Sequence, residues 1–312
     1  MLHQTIRLYD DRDDVTLTTY LLDDSPEMAN GRPRPVVLIL PGGGYISCSD
    51  REGEPIAMAF AAMGYHACVL RYSVYNPGEF RMEFDQPMTV NPRSVFPNPL
   101  YDVAAAMLAI RANAGAWRVD TDKIAVCGFS AGGHNAAMYA VSWDKALLTG
   151  RFGVSADALR PAACVLGYAV TDYVAMHSGP RGTEAGAERL HLTSDMALLG
   201  TTEPTDDLLH QVSPARLVGD TTPAMFIWAT WQDGLVPVAQ SVAMVAALAD
   251  HGIACETHIF ERGPHGLALA STASAGARSE LDPDAAQWIG LCARWLDKRF
   301  APDLPAKKPW QD

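Results

Sequence analysis

Basic residues are in the minority. The chain carries 24 Lys and Arg against 36 Asp and Glu, a formal net charge of −12. Such a balance repels phosphate backbones and anionic headgroups, which excludes nucleic-acid and membrane-surface binding as a first expectation. Cysteines are few and scattered, at 48, 68, 127, 164, 255 and 292, with no C-x-x-C pair. This is the pattern of reduced, buried thiols rather than of a disulfide framework. No His/Asp/Glu cluster has ligand spacing, so no metal site is expected. The opening MLHQTIRLYDDRDDV has neither a basic nor an apolar leader region, and no apolar run approaches a membrane span. A cytoplasmic location with no membrane partner is the expectation. No internal repeat is visible.

What is present is core-forming residues. Of 312 residues, 48% are hydrophobic and 19% charged, enough for one large α/β unit over 1–312. Short apolar runs alternate with helical spacing. Thr5–Tyr9 and Val15–Leu22 read as strands, as do the continuous apolar run Val36–Leu40, the apolar Ile124–Cys127, and the stretches His66–Tyr72, Ala162–Ala169, Met225–Thr230 and Cys255–Phe260. Continuous apolar runs mark strands covered on both faces. Helices are predicted over 55–63, 100–114, the stretch after Ser130, 205–212, 238–251 and 284–300. Alternation of this kind implies a mostly parallel sheet with helices on both sides. Two segments break the rhythm: a proline-rich loop over 76–99, and a looser region over 172–217 placed where a cap over a site would sit. Phe80, Met82, Phe84 and Phe96 of the first segment either wall a cleft or pin a surface loop.

The stretch Lys123–Val141, KIAVCGFSAGGHNAAMYAV, reads as strand, sharp turn and helix with Ser130 at the apex. Such a reversal strains the apical backbone and leaves no room for side chains two residues away, which suits Gly128 and Gly132. It lifts the Ser130 hydroxyl out of the sheet and puts the Ala131 N–H at a helix N-terminus, ready for a developing oxyanion. The other reading is a serine N-cap. After the buried strand at 36–40 comes Pro41-Gly42-Gly43-Gly44-Tyr45. With no side chains in the way, the amides of Gly43 and Gly44 can face an anion at a strand's carboxyl end, where open sheets bind ligands.

A serine hydroxyl needs a base, and the base a carboxylate that fixes its tautomer. Asp233 and His265 each follow a buried strand, within Trp231–Pro237 and Glu261–Leu267, and complete the order Ser, Asp, His. His134, one turn beyond Ser130, is expected to be structural. His66, His251 and His258 lie in strands or at a helix end, and His3, His177, His191 and His210 lack a glycine-bounded loop. Asp172 is the rival acid, and Asp102 is expected to be a solvated or capping carboxylate. Tyr45, Gln232 and Leu235 neighbour the site and are candidate substrate-lining residues.

Together, LPGGGY at 40–45, REGEPIA at 51–57, GFSAGG at 128–133, DGLVPV at 233–238 and GPHGLAL at 263–269 resemble the α/β-hydrolase superfamily, close to the bacterial acetyl-esterase and acetylxylan-esterase-like branch. The resemblance implies an eight-stranded, mostly parallel sheet. It implies Ser130 as nucleophile, Asp233 as acid and His265 as base, with Gly43, Gly44 and Ala131 as oxyanion donors and no cofactor. Its expected substrates are small-molecule esters, above all acetylated sugars or xylan fragments and sometimes hydroxycinnamoyl esters. An amide hydrolase on the same fold and a non-catalytic binding protein are the alternatives, and a homo-oligomer stays open. Many relatives have His where this chain has Pro41, and the 76–99 connection is longer than usual.

Overall fold

Eight runs of sequence pair into one sheet: β1 Leu2–Arg7, β2 Thr16–Leu21, β3 Arg34–Leu40, β4 His66–Arg71, β5 Val119–Phe129, β6 Ala163–Gly167, β7 Met225–Thr230 and β8 Cys255–Phe260. Their spatial order is β1-β2-β4-β3-β5-β6-β7-β8. The first two pairings in that order, β1 with β2 and β2 with β4, are antiparallel, and all the others are parallel. The computed structural model describes residues 1–29, 31–78, 88–179 and 182–300, with 304 and 307.

The continuous apolar strands are explained by helices on both faces. In β3, Val36, Leu38 and Leu40 point into one core, and Val37 and Ile39 into the other, as the two-residue period of a strand requires. Among the described residues there are ten α-helices. The first five are α1 Glu54–Ala62, α2 Asn98–Ala112, the single turn α3 Ala114–Trp117, α4 Ser130–Ser142 and α5 Ala146–Phe152. Then come α6 Tyr173–Ser178, α7 Ala187–Leu199, α8 Asp206–Gln211, α9 Ala239–Asp250 and α10 Trp288–Phe300. Helices α2, α4 and α9 cover the first core, while α1 and α10 cover the second.

Helices α6, α7 and α8 all lie in the connection between β6 and β7. Only the region of α8 is legible as a helix in the sequence. The 13-residue α7 is hidden by the polar residues among its apolar ones, although Ala187, Leu190, Ala197 and Leu198 keep a helical stripe. A buried pair, His177 Nε2 to Asp195 Oδ2 at 3.2 Å, ties α6 to α7. Of the residues expected to wall a cleft or pin the long loop, Phe80, Met82 and Phe84 lie outside the described residues. Phe96 is half-buried against the core, and its N–H donates to the Leu198 carbonyl at 2.7 Å. It pins the loop to the end of α7. Asp102 departs from expectation. It is 1% exposed, and accepts from the Tyr9 hydroxyl at 2.8 Å and the Ser73 N–H at 2.7 Å. A helix facing the sheet has no solvated side at that position, so the carboxylate is paired inside.

Candidate active site

Strand β5 runs straight into α4, and the turn between them is Ser130. Its φ is +51°, a left-handed backbone conformation that non-glycine residues seldom hold. Close packing explains the flanking glycines: a Cβ on Gly128 would lie 2.1 Å from the Gly132 carbonyl oxygen, and one on Gly132 would lie 2.1 Å from that of Leu40. The serine hydroxyl therefore projects at the carboxyl edge of the sheet.

Two further loops meet it there. Ser130 Oγ lies 2.8 Å from His265 Nε2, and His265 Nδ1 lies 2.7 Å from Asp233 Oδ2. With Nδ1 donating to the carboxylate, Nε2 is left to accept from the serine. The other oxygen of Asp233 accepts the Leu235 and Val236 N–H groups at 2.9 and 2.8 Å. The His265 loop is held in turn by a bond from the Thr230 hydroxyl to the Gly263 carbonyl at 2.8 Å. Burial disfavours a charged imidazole, yet the negative charges of Asp233, Glu52 and Glu184 outweigh it and raise the His265 pKa above its ordinary 6.5.

The glycine loop bends over the same place. Gly43 has φ +125°, and a Cβ there would lie 2.2 Å from the Ser47 carbonyl oxygen, so no other residue fits. Among the described residues no hydrogen bond engages the N–H groups of Gly43 or Gly44. Both glycines, with Ala131, Ser130 and His265, line a cleft of about 230 Å³. The far wall is formed by Val170, Tyr173, Glu184, Leu190, His191, Ser194 and Leu235. Most of that wall belongs to α6, α7 and the turn before α7. That turn is docked on the acid loop, where the Thr183 and Glu184 N–H groups both donate to the Gly234 carbonyl, at 2.7 and 2.9 Å. Helix α7 is docked there too, with His191 Nε2–H donating to the Leu235 carbonyl at 3.0 Å.

Of the three candidate lining residues, only Leu235 borders the cleft. Tyr45 is 1% exposed, its hydroxyl bonded to His134 Nδ1 at 2.6 Å. It points away because the positive φ of 58° at Tyr45 turns the side chain into the core. Gln232 is exposed and lies outside the cleft, whereas Leu235 and Val236 of the same turn line it. His134 is structural as expected: its Nε2–H donates to the Val212 carbonyl at 2.8 Å, and burial lowers its pKa to about 4. Asp172, the rival acid, caps α6 through the Ala175 N–H and accepts Arg216 Nε at 2.9 Å, with no contact to His265.

A model of the BD-FAE family matches residues 24–248. The chain belongs to the BD-FAE family. Within the curated relatives, it is 33% identical over 76% of its length to endo-1,4-beta-xylanase B of Butyrivibrio fibrisolvens, of which it spans 33%. Among the solved structures that match almost end to end are two hydrolases. The carboxylesterase Cest-2923 of Lactobacillus plantarum is 31% identical with a TM-score of 0.74, covering 96% of this chain and 98% of that one. An acetyl ester-xyloside bifunctional hydrolase of Caldicellulosiruptor lactoaceticus is 28% identical with a TM-score of 0.71, covering 95% and 96%. The sheet order and the helices on both faces make this BD-FAE member an α/β-hydrolase.

Proposed function

We propose that the chain is a serine carboxylesterase that removes short acyl groups, acetyl above all, from carbohydrates such as acetylated xylo-oligosaccharides. Its family and a carboxylesterase matched along nearly its whole length make it an ester hydrolase; the serine mechanism and the substrate are our reading. The observation that carries the mechanism is the continuous hydrogen-bond chain Ser130–His265–Asp233. The sugar ester is supported by the acetyl ester-xyloside hydrolase and by the xylanase relative.

In this reading Ser130 Oγ attacks the ester carbonyl carbon as its proton passes to His265 Nε2. Asp233 holds the imidazole in the accepting tautomer and stabilises the cation that forms. The carbonyl oxygen becomes an oxyanion facing the Gly43, Gly44 and Ala131 N–H groups, each such donor contributing roughly 10²–10³ in turnover where it has been removed. Collapse expels the alcohol, which takes the proton from His265, and leaves an acyl-Ser130 ester. Water, deprotonated by His265, then attacks that ester and releases the acid. Residues 172–217 act as a small cap whose helices shape the alcohol side of the cleft.

The test is hydrolysis of p-nitrophenyl acetate, together with acetate release from acetylated xylo-oligosaccharides. Ser130→Ala is expected to lose turnover by several orders of magnitude, and labelling by a fluorophosphonate should disappear with it. Wild-type rates in Ser130→Ala would overturn the mechanism. Preference for methyl ferulate over acetylated sugars would overturn the substrate.

A further inference from the structure

The mechanism leaves one buried charge beside the site unexplained. Glu52 follows β3 by a short loop and is 4% exposed. Its Oε2 accepts the Gly42 N–H at 2.6 Å, and its Oε1 accepts the Tyr168 hydroxyl at 2.7 Å. The Tyr168 oxygen in turn accepts the Ala268 N–H at 2.9 Å, three residues beyond His265. The ring of Tyr168 stands edge-on against the His265 ring, with centroids 5.0 Å apart.

We propose that Glu52 is a positioning residue, a fixed negative charge that joins the glycine loop, the turn after β6 and the His265 loop into one frame. This rests on the serine-esterase reading above and adds a group to it. Burial pushes the Glu52 carboxyl up, while the bonds from Tyr168 and Gly42 act the other way; the chain of donors argues for the anion. Gly42 N–H can only donate, and Tyr168, already accepting from Ala268, has its proton free for Glu52, so each carboxylate oxygen meets a donor. An uncharged amide could accept from only one of the two.

The consequences are geometric and electrostatic. With Gly42 N–H committed to Glu52, the next two amides of the loop are left to face the cleft. The Pro41 carbonyl, one residue earlier, adds a bond from Tyr72 Oη at 2.7 Å that holds the same loop. Around Glu52 the charged and titratable neighbours are Arg51, His265, Tyr168, Tyr72, Cys48 and Cys127. Burial keeps the two tyrosines and the two thiols neutral. Arg51 is shared with Ser274 and Glu280, through bonds of 2.7 and 3.0 Å. Of those neighbours, His265 is the one that must gain a proton during turnover; Asp233 and Glu184 are the other anions acting on it. An anion at 52 stabilises that imidazolium and makes the imidazole the stronger base.

Glu52→Gln and Tyr168→Phe in the full chain separate this from a role in folding alone. In Glu52→Gln, loss of the charge lets His265 shed its proton more readily. The acid limb of kcat/KM should then move to lower pH by about half a unit. We expect kcat at neutral pH to drop about tenfold, with KM for p-nitrophenyl acetate little changed. Tyr168→Phe keeps the ring on His265 but cuts the link to Ala268, and should lower kcat severalfold, again with KM unchanged. A folded Glu52→Gln enzyme with wild-type kcat and acid limb, or with its whole loss in KM, overturns the proposal. Should Glu52→Gln not fold, an unchanged kcat in Tyr168→Phe overturns it instead. Activity persisting in Ser130→Ala would sink the serine reading itself, whereas an inactive Ser130→Ala beside an unaltered Glu52→Gln sinks only the role of Glu52.

Discussion

A single imidazole sets how the site responds to pH. In the proposed mechanism His265 must be neutral to take the Ser130 proton, so activity should fall as pH drops through its pKa. Because Asp233, Glu52 and Glu184 lift that pKa against the cost of burial, the acid limb of kcat/KM should have its midpoint above pH 6.5. A pH–rate profile measures this directly, and a midpoint below 6.5 would contradict it. Asp233→Asn should reduce turnover by about 10⁴, since the amide no longer imposes the accepting tautomer on Nε2. The contrast with His134 is instructive. It is more deeply buried and only four residues from the serine, yet both its nitrogens are occupied, by Tyr45 and Val212, and it has no part left to play in proton transfer.

At the scale of elements, the tightest place is the junction of β5 and α4. The helix begins so close to the end of β3 that Gly132 leaves no room for a methyl group, with Leu40 and Pro41 carbonyl oxygens 2.1 and 2.4 Å from where a Cβ would stand. Gly132→Ala must push the glycine loop away from Ser130. It is expected to destabilise the protein by about 1–3 kcal/mol and to cost more activity than stability, because Gly43 and Gly44 move with the loop. Thermal unfolding and kcat measured together decide it; an enzyme with both unchanged would show that the junction relaxes freely. The cleft's far wall depends on a different kind of junction. Helix α7 touches the loop of Asp233 through a side-chain bond, His191 to Leu235, and the turn before α7 does so through backbone bonds from Thr183 and Glu184 to Gly234.

Across the whole molecule, the second core supports the base from beneath. Trp288 is fully buried, stacks on Trp228 with centroids 5.0 Å apart, and donates from Nε1 to the Ala268 carbonyl at 2.8 Å. The same Ala268 N–H is bonded to Tyr168. Helix α10, remote in sequence from Ser130, thus holds the loop that carries His265. Trp288→Ala should cost about 3–5 kcal/mol of stability, and what remains folded should turn over more slowly than its folded fraction explains. Chemical denaturation with activity per folded molecule tests both halves. Activity tracking the folded fraction alone would show that the tryptophan supports only the core.

The central strands and the residues that end them were legible because burial on both faces leaves a continuous apolar signature, and because chain reversal at the sheet's carboxyl edge leaves glycines. Gly128, Gly132, Gly43 and Gly44 could be read without coordinates, and so could the loop positions of Asp233 and His265. The alternation of elements pointed to a parallel sheet for the same reason. Only the tertiary structure decided what meets what. Helix α7, with Leu190, His191 and Ser194, was obscured because a helix bordering a cleft has no wholly apolar face. Tyr45 and Gln232 sit next to site residues in sequence but turn away from the cleft, since backbone φ and local packing, not proximity along the chain, set where a side chain points. Glu52 lies in the REGEPIA stretch at 51–57, where nothing in the sequence marks it as buried. Its partners, Gly42, Tyr168 and through it Ala268, are 10, 116 and 216 residues away in the sequence, and a buried charge declares itself only when the fold brings its donors to it.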